Sequence, residues 1–149
     1  MITAAQPARA GFAGNRRRHG WAWIMLAVAI ALHVADEATH DFLAVYNPAV
    51  RTIRQRVPWL PLPTFEFGEW IAGLAAGVVL LLALSPLVFR GARIMRPISF
   101  VLAALMALNA LQHAAGSVYM GRLMPGALSS PVLLAAALWL AVTAQRTPR

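Results

Sequence analysis

The stretch Trp21-Ala22-Trp23-Ile24-Met25-Leu26-Ala27-Val28-Ala29-Ile30-Ala31-Leu32-His33-Val34-Ala35-Asp36-Glu37-Ala38-Thr39-His40-Asp41 decides how this chain is read. Residues 21–32 are purely apolar. A helix that crosses the hydrocarbon core of a bilayer needs about 20 residues at roughly 1.5 Å each. Residues 21–32 fall short of that. The crossing is completed only if the polar segment from His33 onward, ending near Tyr46 and Asn47-Pro48, also lies in the membrane. The competing reading is a secretory signal, with Arg16-Arg17-Arg18 as its basic flank and residues 21–32 as its apolar core. Cleavage after Ala35 would then set His33 where that signature requires a small residue. An uncleaved span is expected.

The rest of the chain follows the same pattern. Of 149 residues, 60% are hydrophobic and only 12% charged, whereas a soluble domain has about a quarter charged. Further apolar runs cover 69–89, 97–120 and 128–144. The expected fold is therefore all-α, a four-transmembrane-helix bundle. Residues 21–144 form its single membrane domain, 1–20 a disordered basic tail and 145–149 a second short tail. Prolines at 58, 61 and 63 make 47–68 an irregular connector. Pro97 suits a first helical turn, and Pro125-Gly126 breaks the chain before the fourth span.

Every basic charge is an arginine, and cysteine is absent, which excludes disulfides, thiolate metal sites and thiol nucleophiles. The net charge of +8 does not indicate nucleic acid binding, because the arginines flank apolar runs instead of forming a stripe. They set orientation instead. Nine fall in the tail, the 90–96 turn and the last residues, against four in 47–68 and at Arg122, which places both termini in the cytoplasm. Trp21 and Trp23 then lie at the inner interface, and Tyr46, Trp59, Trp70 and Tyr119 near the outer one. Arginine used in place of lysine, with abundant alanine, points to a GC-rich bacterial genome and hence to an inner membrane.

The chemistry lies in the polar part of the opening stretch. His33, Asp36, Glu37, His40 and Asp41 are spaced by 3, 4, 7 and 8 residues from the first, one helix face. A charge at the bilayer centre costs about 2.5–3.5 kcal/mol even on insertion scales. The stripe must therefore face inward. The third span presents Met106, Asn109, His113, Gly116 and Ser117 on one face, and it runs in the same direction as the first. Counted from Trp21 and Pro97, His33 and Asn109 are both 12 residues deep, and Glu37 and His113 are both 16. Each pair is expected at one level. On the second span, Glu69, Gly73 and Gly77 share a face; Gly73 and Gly77 make a GxxxG pattern suited to close helix packing, with Glu69 directed into the bundle. All five acids lie between 36 and 69, and with His33, His40 and His113 they mark a site in the outer half, open outward. His19, in the basic tail, is expected to be solvated.

The segment His33-Val34-Ala35-Asp36-Glu37 resembles the signature of the HXXEE family of small integral membrane proteins. Asn109-Ala110-Leu111-Gln112-His113, followed by Pro125-Gly126, is similar to that family's second motif region. Asp36 departs from the pattern, which has glutamate there, and so keeps the carboxylate on a shorter arm. The resemblance implies a membrane location and a small helical bundle, and it supplies no reaction.

Several functions fit these residues. A His and a carboxylate at i and i+4 can chelate one ion, so His33, Glu37, His40 and His113 are candidate ligands. Asp36 or Asp41 would support them from behind. Mixed nitrogen and oxygen donors suit zinc, iron or manganese. Without a metal, the catalytic set would be Glu37, Asp36, His33 and His113, passing a proton to or from a lipophilic substrate that enters from the bilayer. The leading expectation is an enzyme of one of these kinds, with membrane lipid and a lipophilic small molecule as partners. The alternatives are a proton or cation conduit and a structural module whose polar groups only join helices, at about 0.6 kcal/mol for each hydrogen bond.

Overall fold

A computed structural model describes residues 5–147. Among them are five α-helices and no strand: α1 (Ala5–Thr39), α2 (Phe42–Arg56), α3 (Phe67–Phe89), α4 (Met95–Met120) and α5 (Ser130–Gln145). Three are long and apolar enough to cross a membrane by length and composition, over Gly14–Thr39, Phe67–Phe89 and Met95–Met120. The fourth apolar helix, α5, has 16 residues, about 24 Å, less than a hydrocarbon core.

Helix α1 lies between α3 and α5, and α4 packs along α5. The core between them joins Trp23, Leu26 and Ala29 of α1 to Val88 of α3, to Ala103 and Ala110 of α4, and to Leu133, Ala137 and Leu140 of α5. Alanine at so many of these positions brings helix backbones close, which is how helices associate where no hydrophobic force drives them together. The Trp23 indole donates to the Leu81 carbonyl at 2.7 Å. That carbonyl adjoins Leu82, whose own helical donor is missing because Pro86 has no N–H.

The basic segments meet at one end of the bundle. Asn15 Nδ2 donates to the Arg146 carbonyl at 3.1 Å, and His19 Nε2 lies 2.9 Å from Ser99 Oγ. His19 is therefore a buried packing residue and not a solvated one. The expected disordered tail is helical from Ala5, continuous with α1, while its first four residues lie outside the described region, as do residues 148–149 of the second tail.

At the other end the sequence reading needs correction. The first span does not run on to Tyr46. Helix α1 stops at Thr39, and the chain turns at His40 and Asp41, the latter in the left-handed region at φ 58°. Residues 42–46, expected in the first span, and 47–56, expected in the irregular connector, together form α2. The proline cluster that argued against a helix begins only at Pro58, past its end, and α2 tolerates Pro48 in its interior. The proline-rich segment folds back along α2. Asn47 clamps it with two hydrogen bonds, Nδ2 to the Phe65 carbonyl (2.9 Å) and Phe65 N–H to Oδ1 (3.1 Å), and Tyr46 Oη donates to the Pro63 carbonyl (3.1 Å).

Two expectations for α3 also fail. Glu69 is exposed and not directed into the bundle, and Gly73 and Gly77 lie on the exposed face with nothing within 4 Å of where a side chain would start. The GxxxG pattern brings no helix close within this chain, because α1 packs on a different side of α3.

Candidate functional site

Three side chains from two helices converge in the bundle. His33 and Glu37, one turn apart on α1, meet His113 of α4, and they are 3%, 6% and 1% exposed. One ligand-type atom from each lies within 4.8 Å of the others. Glu37 Oε1 is 3.1 Å from His113 Nε2 and 3.6 Å from His33 Nε2. The two imidazoles meet edge to face with centroids 4.7 Å apart. The levels counted from the sequence hold for both pairs: His33 meets Asn109, with Asn109 Nδ2 at 2.9 Å from His33 Nε2, and Glu37 meets His113.

His33 is oriented from behind. Its Nδ1 lies 2.8 Å from Ser129 Oγ, which is 2.7 Å from Asp36 Oδ2; the Ser129 backbone N–H also donates to Oδ2, at 2.9 Å. The Gly126 carbonyl, 3.1 Å from the same hydroxyl, can only accept, as can the Asp36 carboxylate. Ser129 has one hydrogen to give, and it goes to these acceptors. It must then accept from His33 Nδ1–H, leaving Nε2 with its lone pair directed at Asn109 and the site. A hydroxyl and a carboxylate thus set the tautomer, in the manner of the outer partners of metal-binding histidines.

His113 is different. Both of its ring nitrogens are buried without a hydrogen-bond partner among the described residues. The 3.1 Å approach of Glu37 Oε1 is close enough for a charge contact but out of line for a hydrogen bond.

The connection from α4 to α5 makes the wall of this site. After Gly121 the chain doubles back along α4: Met124 N–H donates to Ser117 Oγ at 3.0 Å, and Gly126 arrives beside His113. A Cβ on Gly126 would lie 2.8 Å from His113 Cε1, 2.9 Å from His33 Cε1 and 3.0 Å from Glu37 Cγ, and its φ is +85°. Only glycine meets both demands. On the other side the Phe42 ring of α2 sits 6.0 Å from the His113 ring and stacks on Trp70 and Tyr46. The outward mouth expected from the sequence is therefore covered, by α2 and by the Gly126 turn.

The expected stripe of five divides. His33 and Glu37 enter the site, and Asp36 reaches it through Ser129. His40, an expected metal ligand, stays outside: its side chain is 53% exposed, with Nδ1 at 2.9 Å from Asp36 Oδ1. Asp41 is exposed at the helix break. His40 keeps the helical i, i+4 bond to the Asp36 carbonyl but sits at the solvent-exposed end of α1, and the backbone leaves the helical period at Asp41, φ 58°. Ser129 was missed from the sequence. A serine after a Pro-Gly turn carries no chemical signature, although its place three residues beyond Gly126 could have drawn notice.

The three groups are spaced for an ion. Donors about 2.0–2.1 Å from a tetrahedral zinc lie roughly 3.3 Å from each other. The two separations from Glu37, 3.1 and 3.6 Å, bracket that value, and all three ligand atoms lie within 4.8 Å of one another.

No protein-family model, curated protein or solved structure matches this chain.

Proposed function

We propose that this chain is a four-crossing membrane protein of the HXXEE type whose His33, Glu37 and His113 hold a divalent cation and serve an enzyme acting on a lipophilic substrate. One observation carries the reading: the buried, unpartnered Nε2 of His113 lies 3.1 Å from Glu37 Oε1, which is itself 3.6 Å from the second imidazole's Nε2. Leaving a buried polar group unpaired costs about 1–3 kcal/mol, and a cation would repay it. The nitrogen and oxygen donors suit zinc, iron or manganese. Glu37 serves as ligand or as general acid/base, His33 and His113 as ligands, and Asp36 positions His33 through Ser129. Asn109 is a fourth candidate, since turning its amide end for end would present an oxygen instead of a nitrogen. The apolar surroundings favour a lipophilic substrate.

The fourth crossing rests on the geometry of α5. The turn before it sets Gly126 against His113 and His33, two turns inside the far end of α4, and its N-cap Ser129 lies 2.8 Å from His33 Nδ1, while Thr147, just past its other end, lies 3.4 Å from His19 Nδ1. The inward fold of 121–129 supplies the length that 16 residues lack. A bacterial inner membrane with both ends cytoplasmic is the placement that the arginine distribution supports.

Elemental analysis of detergent-purified protein tests the metal reading. Wild type and His40→Ala are expected to carry one equivalent of a transition metal, and His33→Ala and His113→Ala less than a tenth of that. A metal-free wild type prepared without chelators would remove this reading and leave the acid/base one. The acid/base reading has its own support, because Asn109 already engages the His33 Nε2 lone pair. A conduit gains less: between His33 and His19 the buried face of α1 is Trp23, Leu26 and Ala29, with no group able to relay a proton.

A further inference from the structure

At the end of the bundle opposite the His/Glu site, a cavity of about 450 Å³ opens between the α3–α4 turn, the first turns of α4, and His19 of α1. Its polar lining is cationic or neutral: Arg93, Arg96, His19 and Thr147. Its apolar lining includes Val88, Met95 and Phe100. Arg96 Nε is buried and has no hydrogen-bond partner among the described residues, and its guanidinium carbon lies 5.9 Å from the centroid of the Phe100 ring. Gly91, at φ +72°, carries the turn past the aliphatic part of Arg16, which adds another cation at the rim. The chain has no acid outside residues 36–69, so no Asp or Glu side chain can balance this cluster from within. The amino-terminal end of the 26-residue α4 adds positive dipole at the same place.

We propose that this cavity binds the phosphate headgroup of an anionic membrane phospholipid, with Arg93 and Arg96 on the phosphate and Ala92, Pro97 and Phe100 along the glycerol and proximal acyl carbons. Charge favours an anion, and a planar guanidinium with a free N–H matches phosphate geometry. The apolar lining separates a lipid from free phosphate. The level is right as well: Trp21, an interfacial type of residue, follows His19 by two positions. Basic pockets between membrane helices take lipid headgroups in this way.

Native mass spectrometry of the full chain in detergent, titrated with phosphatidylglycerol, phosphatidylcholine or inorganic phosphate, tests this. Phosphatidylglycerol is expected to give a 1:1 adduct at least tenfold tighter than phosphatidylcholine, with no adduct of inorganic phosphate at matched concentration. Arg93→Gln/Arg96→Gln should weaken that adduct on the order of tenfold, whereas Arg51→Gln/Arg54→Gln on α2 should leave it within about twofold. If the first double variant does not fold, Arg96→Lys keeps the charge, and a several-fold weakening is expected from loss of the planar fork alone. Equal binding of the two lipids, equal loss in both double variants, or phosphate bound as well as lipid would each overturn the proposal.

Discussion

Gly126 illustrates how narrowly the site is built. Its backbone lies against both histidines and Glu37 at distances where a methyl group has no room, and it adopts a conformation that costs other residues about 1–3 kcal/mol. Gly126→Ala is therefore expected to lower stability by at least that amount and to displace His113, read as a fall in melting temperature together with loss of bound metal. Ser129 acts at one remove. Without its hydroxyl, His33 Nδ1–H loses its acceptor and the tautomer is no longer set. Ser129→Ala should weaken metal affinity about 10–100-fold, as other outer-partner losses do. Because Asp36 keeps the Ser129 backbone N–H, the cost in folding should be only about 1–3 kcal/mol. Affinity measured by competition with a chelator separates these two effects, since a purely structural serine would change the second and not the first.

At the scale of the element, α2 and its returning strap form a cover with few contacts to α1, joined through Phe42 to Trp70 of α3 and to His113 in the site. The strap is held by the side chain of Asn47 and the hydroxyl of Tyr46. Asn47→Ala removes two hydrogen bonds worth about 0.5–1.5 kcal/mol each. It is expected to raise the rate of proteolysis within residues 57–66 several-fold while changing the melting temperature of the bundle by no more than a few degrees. If the bundle unfolds with the cover, the two are one cooperative unit. In the proposed four-crossing arrangement the short α5 would not span a bilayer alone; the segment before it folds inward and satisfies its own backbone, with Ser130 Oγ donating to the Gly126 carbonyl at 2.7 Å.

For the whole molecule, the separation of charge is the organising feature. All the acids lie toward one end, and most of the arginines lie at the other, where the α3–α4 turn meets both ends of the described chain. Because the chain has no cysteine, single cysteines at positions 18, 93, 54 and 122 report topology without background. An impermeant maleimide added to intact cells is expected to label Arg54→Cys and Arg122→Cys. Arg18→Cys and Arg93→Cys should be labelled only after permeabilisation. Labelling of 18 and 93 on opposite sides would rule out the four-crossing arrangement.

Much of this could be read from the order of residues. Long apolar runs specify helices long and apolar enough to cross a bilayer, and depth along two parallel helices is simple counting, so the His33–Asn109 and Glu37–His113 levels followed from spacing. Periodicity could not show where α1 ends, because a helix stops through local backbone geometry at His40 and Asp41 and not through a change in polarity. That one event left His40 at the exposed end of the stripe, took Asp41 off it and released α2. Nor could spacing show which face of α3 meets α1, which left Glu69, Gly73 and Gly77 outside the bundle. Ser129 and Gly126 gained their roles only when the turn after α4 folded inward, since a small side chain acquires meaning from what is packed against it. Composition determined the class of molecule and the level of its polar groups; contact between distant segments decided which of those groups form a site.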